Sequence, residues 1–564
     1  MEMTGGQALA RQLAAEGVTD LFGIPGVQLD WATDALLDEP RIRYITPRHE
    51  QAASYMADGY ARTTGKPGVC MIVPGPGLLN AMAGLATAYA CSSRVLCITG
   101  QIPSATIGKG YGMLHEVRGQ SETLASVTKW SRLARRPEDI PALVHEAFVQ
   151  LHSGRPLPVG LEIPPDVLAA RADITLLPAA VPAPLAAPAA DALAQAAALL
   201  RGARFPVIHA GGGAVAARAS AELARLAEVL QAPVVMSDNG RGALPDRHPL
   251  ALTHLGGRCL WPHADVVLVV GSRFLDGMGR PTHAAPQAGA STRFVYLNLE
   301  AADTAAPRAA GLHLAADARA GLAALADALG ATAPRASRAG DVAKVRAWCE
   351  EQIAHIEPQR SYLQVLRGAL ADDDILVSEL TQVGYAANFG YPVQQAGSYL
   401  TPGYQGTLGY GFATALGASL GNPGRRVVSI NGDGGFGWNL QELATVAKYR
   451  PNLTTVVFAD GAFGNVRRIQ QTVFQRQIGT ELCNPDFLKL AEAFGVPAVR
   501  VDSPEGLAGA LAEANAASGP RFVEVQVGTM PGPWHLIHTF SKVPRTPPPN
   551  PLGEPAATAE RGAA

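Results

Sequence analysis

Apolar residues in this chain come in short β-branched runs separated by stretches with helix signals, and the alternation predicts an α/β fold. Near the C-terminal end, RRVVSI (425–430) reads as a strand and LTTVVF (453–458) as the next one. Between them, Asn439 to Tyr449 reads as a helix opened by an Asn-x-x-Glu capping box, Asn439 with Glu442. That is one βαβ unit. Its right-handed crossover puts both strand ends on one edge of the sheet, so Asp433 and Asp460, 27 positions apart, are expected to face one crevice. Earlier, RYITPRHEQAASYMADGYAR (43–62) predicts a short strand leading into an amphipathic helix, with Glu50 at the junction. VPGPGLLNAMAGLATAYACSSRVLCITGQIP (73–103) reads as a Gly/Ala helix between two strands, and FPVIHAGGGAVA (205–216) as a strand running into Gly211-x-Gly213-x-x-Ala216.

Two carboxylates at neighbouring strand ends suit a hard divalent cation. Mg²⁺ takes oxygen ligands in near-octahedral geometry and leaves positions for phosphate oxygens. Gly432, Gly434 and Gly435 clear side chains from a helix start where backbone N–H groups can approach a diphosphate. A second phosphate-loop pattern, Gly59 to Gly65-Lys66, is rejected because it has one residue too many and Pro67 stands where a hydroxyl is needed.

Composition narrows the classes. At 564 residues the chain calls for two to four domains, and a formal net charge of −2 without a basic patch argues against a nucleic-acid partner. Apolar runs stay below the ~20 residues of a membrane span, and the N-terminus lacks a signal-peptide core, which predicts a cytoplasmic protein. The six cysteines (Cys70, Cys91, Cys97, Cys259, Cys349, Cys483) are scattered without a CxxC pair, so buried reduced thiols are expected. Composition shifts at LLPAAVPAPLAAPAAD (176–191) and ATAPRASRAGD (331–341) divide the chain into parts at 1–175, 190–332 and 345–543, followed by a Pro/Ala-rich tail at 544–564 read as disordered.

With these residues in view, the chain resembles the thiamine diphosphate (ThDP) enzymes of the acetolactate synthase and benzoylformate decarboxylase group. The GDG of Gly432-Asp433-Gly434 matches the start of their cofactor motif, and Ala459-Asp460 stands at its closing Asn-Asn. The resemblance implies Mg²⁺ ligands at Asp433, Asp460 and the Ala462 carbonyl, with Asp460 adding a charge where the family has an amide. It implies three doubly wound parallel-sheet domains: pyrimidine-binding, central and diphosphate-binding. RHEQ (48–51) matches the segment carrying the family's catalytic glutamate, so Glu50 would bond N1′ of the aminopyrimidine and thereby activate the thiazolium C2 carbon. That role needs a carboxyl held near neutrality by burial. Gly75, Gly77 and Asn80 would lie beneath the cofactor. In GYQGTLGYGF (403–412), Gly406 and Leu408 match the segment that bends the cofactor, the alternative for Leu408 being plain core. Gly434, Gly435, Asp460 and Gly464 complete the implied cofactor-binding set. The family's site lies between subunits, which implies a homodimer or homotetramer.

Other positions bear on the reaction. His115-Glu116 stands where acetolactate synthases carry Gln-Glu, so His115 is a candidate to move protons, a structural histidine being the alternative. Gly277 stands at their substrate-binding arginine and Ile469 at their acceptor-selecting tryptophan. Loss of the guanidinium removes a charge-assisted fork worth about 1.5–3 kcal/mol. The expectation is a decarboxylase or carboligase acting on a small-molecule 2-oxo acid, with release as aldehyde or ligation to a second carbonyl. A true acetolactate synthase with FAD is one alternative. FAD is not favoured, because no well-placed acidic residue follows Ala216 by about 20 positions. A non-catalytic binding or regulatory subunit is the other alternative, and Glu50 speaks against it.

Overall fold

The computed structural model describes the chain except residues 183, 275–291, 301–310, 331–334, 535, 537–548 and 555–564. Three six-stranded parallel sheets organise it, with a small antiparallel pair joining Glu2–Thr4 to Arg171–Asp173. The first sheet uses Asp20–Gly23, Arg43–Ile45, Gly68–Ile72, Val95–Gly100, Trp130–Leu133 and Val159–Ile163. The third uses Ile375–Ser378, Tyr399–Leu400, Val427–Gly432, Leu453–Ala459, Ala498–Val501 and Arg521–Gln526. Numbered in chain order within each sheet, the strands of both run 2-1-3-4-6-5. The central sheet, which starts at Pro206–Ala210 and ends at Leu312–Ala315, runs 3-2-1-4-5-6. The expected three-domain parallel α/β architecture is therefore present. Central strands such as Gly68–Ile72, Val159–Ile163 and Val266–Val270 are buried at every position, because helices cover both faces.

The βαβ unit forms with its first strand two residues later than its apolar run suggests, Val427–Gly432 rather than 425–430. It lies beside Leu453–Ala459 with Gly432 opposite Phe458, so the chain leaves both strands at one edge. The capping box does not form. A 3₁₀ turn, Leu440–Glu442, precedes the helix Leu443–Tyr449, and the Asn439 amide donates instead to the Gly409 carbonyl at 2.7 Å. A buried carbonyl from another segment competes successfully for the cap.

The strand Arg43–Ile45 and the helix Glu50–Thr64 appear as expected, and Gly65 ends that helix in a left-handed conformation (φ +76°) rather than cradling a phosphate. The helix is not amphipathic: every residue from Gln51 to Ala61 is buried. Its second cover is the helix Tyr410–Gly421 of the third domain. A β-carbon on Gly59 would lie 2.0 Å from the Thr414 carbonyl, and one on Gly417 2.0 Å from that of Met56. The two helices thus touch backbone to backbone, an approach open only to glycine.

The glycines of 211–213 have a packing reason as well. Gly211 and Gly213 donate to Val270 and Gly271, and a β-carbon on Gly213 would meet the Gly271 Cα at 2.6 Å. Cysteine burial is mixed: Cys70, Cys97, Cys259 and Cys349 are buried, Cys91 is half-buried and Cys483 is exposed, all as free thiols. Cys483 follows a surface loop whose side chains face outward, which the scattered spacing could not reveal. Among the described residues no helix is long and apolar enough to cross a membrane.

Candidate active site

Glu50 is the first residue of its helix, and the His49 ring caps that helix by accepting from the Gln51 N–H at 3.1 Å. The Asn80 amide donates to Glu50 Oε2 at 3.0 Å. Gly77 packs close to Val73, where a β-carbon would lie 2.7 Å from Cγ2, and runs beside Glu50 Oε1. Gly75 caps the helix Pro76–Cys91 with φ +58°, and its N–H donates to Gln120 Oε1 at 2.7 Å. A β-carbon on Gly75 would strike the His115 carbonyl at 2.1 Å. The structure thus brings Glu50, Gly75, Gly77, Asn80 and the His115 backbone together. The expected burial of Glu50 by its own helix face is not what the single chain shows. Glu50 is half-buried and Asn80 exposed, because the apolar positions of that helix turn inward toward the third domain.

The second cluster stands at the edge where the βαβ strands end. Asp433 opens the four-residue helix Asp433–Phe436 and is 2% exposed. Its Oδ1 accepts from the Gly434 N–H, and its Oδ2 from the Gly461 N–H at 2.8 Å and the Asn484 amide at 2.7 Å. Asp460 Oδ1 accepts from the Ala462 N–H, and Oδ2 from Gln382 at 3.0 Å and Arg467 at 3.3 Å. Burial and the nearby Asp433 charge push the Asp460 carboxyl up to about 6, against the pull of Arg467. Burial likewise raises Asp433, opposed by its Asn484, Gly461 and Gly434 donors. A buried carboxylate beside a half-buried one whose charge it repels is a donor set suited to a cation.

The glycines define a cradle in the same place. A β-carbon on Gly434 would lie 2.8 Å from the Phe463 ring, and one on Gly435 2.3 Å from both Glu379 oxygens. Gly464 begins the helix Gly464–Phe474, where a β-carbon would stand 2.7 Å from Asp460 Oδ2. Phe463 and Leu482 bond across to Thr480 and Gly461, holding Ala462 in an isolated bridge with Glu481. Among the described residues no three His, Cys, Asp or Glu side chains converge as a metal cluster, so a cation here rests on Asp433, Asp460 and backbone oxygen. The residues fit ThDP and a divalent ion. They would hold the diphosphate at Gly434 and Gly435 and the ion at Asp433, Asp460 and Ala462.

Gly406 (φ +56°) and Gly409 (φ +80°) bracket Leu408, which is 39% exposed and so not core. Thr407 beside it is bonded by the Tyr55 hydroxyl at 2.7 Å and lies 3.0 Å from that of Thr87. The loop carrying Leu408 is thus stitched to the first domain.

Three side chains escaped the sequence reading. Glu379, 2% exposed, accepts from the Gly409 N–H at 2.8 Å, and burial pushes it up to about 8. Glu442 is fully buried and accepts from the Arg48 N–H at 3.0 and 3.1 Å and from the Thr445 hydroxyl at 2.5 Å. Burial pushes it up to about 7. Gln382, capped into place by Thr381, bonds Asp460 and receives the Met530 N–H. No local motif announces Glu379 or Gln382, and Glu442 enters the sequence pattern only as a helix cap.

The Glu379 shift carries a pH prediction. The folded protein holds a proton that the unfolded chain releases near 4.5, so this group's contribution to stability is complete below that pH and is lost as pH rises toward about 8. Glu379→Gln is expected to melt with the wild type at pH 4.5 and above it at pH 8, both as apoprotein. Parallel melting temperatures across that range would refute the assignment.

Comparison with known proteins agrees with the geometry. Residues 3–123 match the thiamine pyrophosphate enzyme N-terminal TPP binding domain, 193–325 the central domain and 381–525 the C-terminal TPP binding domain. The chain belongs to the thiamine pyrophosphate enzymes, and thiamine diphosphate is its cofactor. Within that family it is of the acetolactate synthase type. It is 38% identical to the probable 2-ketoarginine decarboxylase of Pseudomonas aeruginosa, over 87% of this chain and 88% of the relative. It is 34% identical to the probable acetolactate synthase large subunit of Methanocaldococcus jannaschii (93% and 92% covered). It is 31% identical to the acetolactate synthase isozyme 1 large subunit of Escherichia coli (93% and 94% covered).

Proposed function

We propose that this chain uses thiamine diphosphate and Mg²⁺ to decarboxylate a 2-oxo acid and releases the product mainly as an aldehyde. The observation that carries the reading is the site's mixed inheritance. The Glu50–Asn80 pair and the Asp433–Asp460 cradle are complete, whereas Ile469 on the Gly464–Phe474 helix stands where acetolactate synthases carry their acceptor-selecting tryptophan. The second departure, Gly277, lies outside the described residues. The similarity to a decarboxylase named for 2-ketoarginine supports the same direction and suggests a 2-oxo acid with a long polar chain.

In this reading the bound cofactor supplies the electron sink for loss of CO₂. The protein's share is positional. Glu50 would bond the aminopyrimidine through Oε1, while Asn80 fixes Oε2. Asp433, Asp460 and the Ala462 carbonyl anchor the ion, and Leu408 presents an apolar surface under the rings. His115 moves a proton at the substrate carbon. Residues 1–175, 190–332 and 345–543 act as pyrimidine-binding, central and diphosphate-binding domains. A homodimer or larger is the working unit, supported by the surface position of Glu50 and Asn80 and by Leu79, 49% exposed beside them.

The test is a panel of 2-oxo acids, with 2-ketoarginine, pyruvate and benzoylformate included, assayed with ThDP and Mg²⁺ for CO₂, aldehyde and acetolactate. Aldehyde equal to the CO₂ released is expected, from protein that sediments as a dimer or larger and retains no flavin. Efficient conversion of pyruvate to acetolactate, or stoichiometric FAD, would sink the reading.

A further inference from the structure

Gln28 occupies the turn between the strand Asp20–Gly23 and the helix Asp30–Leu37, and it is only 5% exposed. Its amide spans two consecutive residues of the loop before Gly119. Nε2 faces the Leu114 carbonyl at 3.2 Å, and Oε1 faces His115 Nδ1 at 3.1 Å. The orientation is forced. A carbonyl oxygen only accepts, so the amide end facing Leu114 is the NH₂ group and the opposite end is oxygen. That oxygen only accepts in turn, so the His115 ring donates from Nδ1. The neutral ring therefore carries its hydrogen on Nδ1 and leaves the lone pair on Nε2.

His115 is held unusually for a histidine. Its φ is +68°, a left-handed conformation that a β-carbon disfavours, and its carbonyl lies where only a glycine at position 75 leaves room. The same Gly75–Gly77 turn runs beside Glu50 Oε1. Two carboxylates belong to the neighbouring elements. Glu50 is bonded by Asn80, and Glu116 is engaged with the Gly110 and Met113 N–H groups, whereas His115 Nδ1 faces Gln28.

We infer that Gln28 is a positioning residue that fixes His115 in the Nδ1–H tautomer, so that Nε2 is the nitrogen that takes up and returns a proton at the substrate carbon. The proton taken at Nε2 is the one given back, and Nδ1–H is kept throughout. The inference rests on the proposed proton-transfer role of His115.

The experiment combines ¹⁵N-histidine spectra of the whole protein with steady-state kinetics. His115→Gln assigns the ring by the signals it removes. In the wild type at neutral or higher pH, His115 is expected to show a protonated Nδ1 and a bare Nε2. Gln28→Leu should move the ring toward the Nε2–H form and lower kcat about 10–100-fold, the range for a partner that orients a functional histidine, with KM changed less than about twofold. Gln28→Glu keeps an acceptor, and it should keep the tautomer and most of kcat. A wild-type ring protonated on Nε2 would overturn the inference without any substitution, whether or not Gln28→Leu folds. So would an unchanged kcat in a folded Gln28→Leu alongside a kcat lowered in His115→Gln, which leaves the His115 role standing. An unchanged kcat in His115→Gln removes that role and this inference with it.

Discussion

Glu50→Gln is expected to slow proton exchange at C2 of the bound cofactor by about 10²–10⁴, the range for removing a positioned acid–base group, while leaving ThDP affinity nearly intact. The separation follows from geometry. In the proposed reading the diphosphate and ion would rest on the Asp433 cradle, whereas Glu50 is bonded by Asn80. Glutamine keeps the volume and the acceptor for Asn80 but cannot exchange the proton. Deuterium loss from C2-labelled cofactor, followed by quenched NMR, measures the step directly. Exchange at the wild-type rate would remove Glu50 from the chemistry.

Asp433→Ala is expected to weaken ThDP and Mg²⁺ together by about 100-fold or more, equivalent to about 2.7 kcal/mol. The same carboxylate that would hold the ion also holds the loop: its Oδ2 anchors Gly461 and Asn484, so alanine loses the charge and the position of the residues after Asp460. Asp433→Asn separates the two effects, since it keeps an oxygen for Gly461 but lacks the charge. Asp460→Asn should be tolerated within about tenfold, because an amide oxygen still accepts from Gln382 or Arg467 and the repulsion from Asp433 disappears. Calorimetric titration of each variant with Mg²⁺ and ThDP decides. Normal ThDP binding by Asp433→Ala would dismiss the metal assignment.

The residues that sequence alone placed well share one property: their partners are set by local topology. Asp433 and Asp460 follow adjacent parallel strands, and a single crossover rule brings their ends together. Gly75, Gly77 and Asn80 share one turn of chain. The residues it misjudged answer to distant partners. Asn439 gives up its cap to a carbonyl 30 positions away, and Glu442 leaves its own helix for an N–H 394 positions away. The Glu50–Thr64 helix is buried on every side from Gln51 to Ala61 because a glycine-faced helix from another domain covers it, which no periodicity within the helix reports. Glu379 carries no motif because its raised proton affinity comes from burial in the folded chain, against the pull of the Gly409 and Tyr410 N–H groups.

The Glu442 clamp on Arg48 has a consequence for recombination between relatives. Arg48 and Thr46, just before Glu50, hang their N–H groups on Glu442 and on the Tyr449 hydroxyl of the same chain. The donors are backbone N–H groups that any residue but proline supplies, so a chimera that takes residues 1–175 from one parent keeps the clamp only where the other parent supplies a carboxylate at 442 and a hydroxyl at 449. A library of such chimeras chosen to keep those two acceptors should retain more active members than one assembled without regard to them.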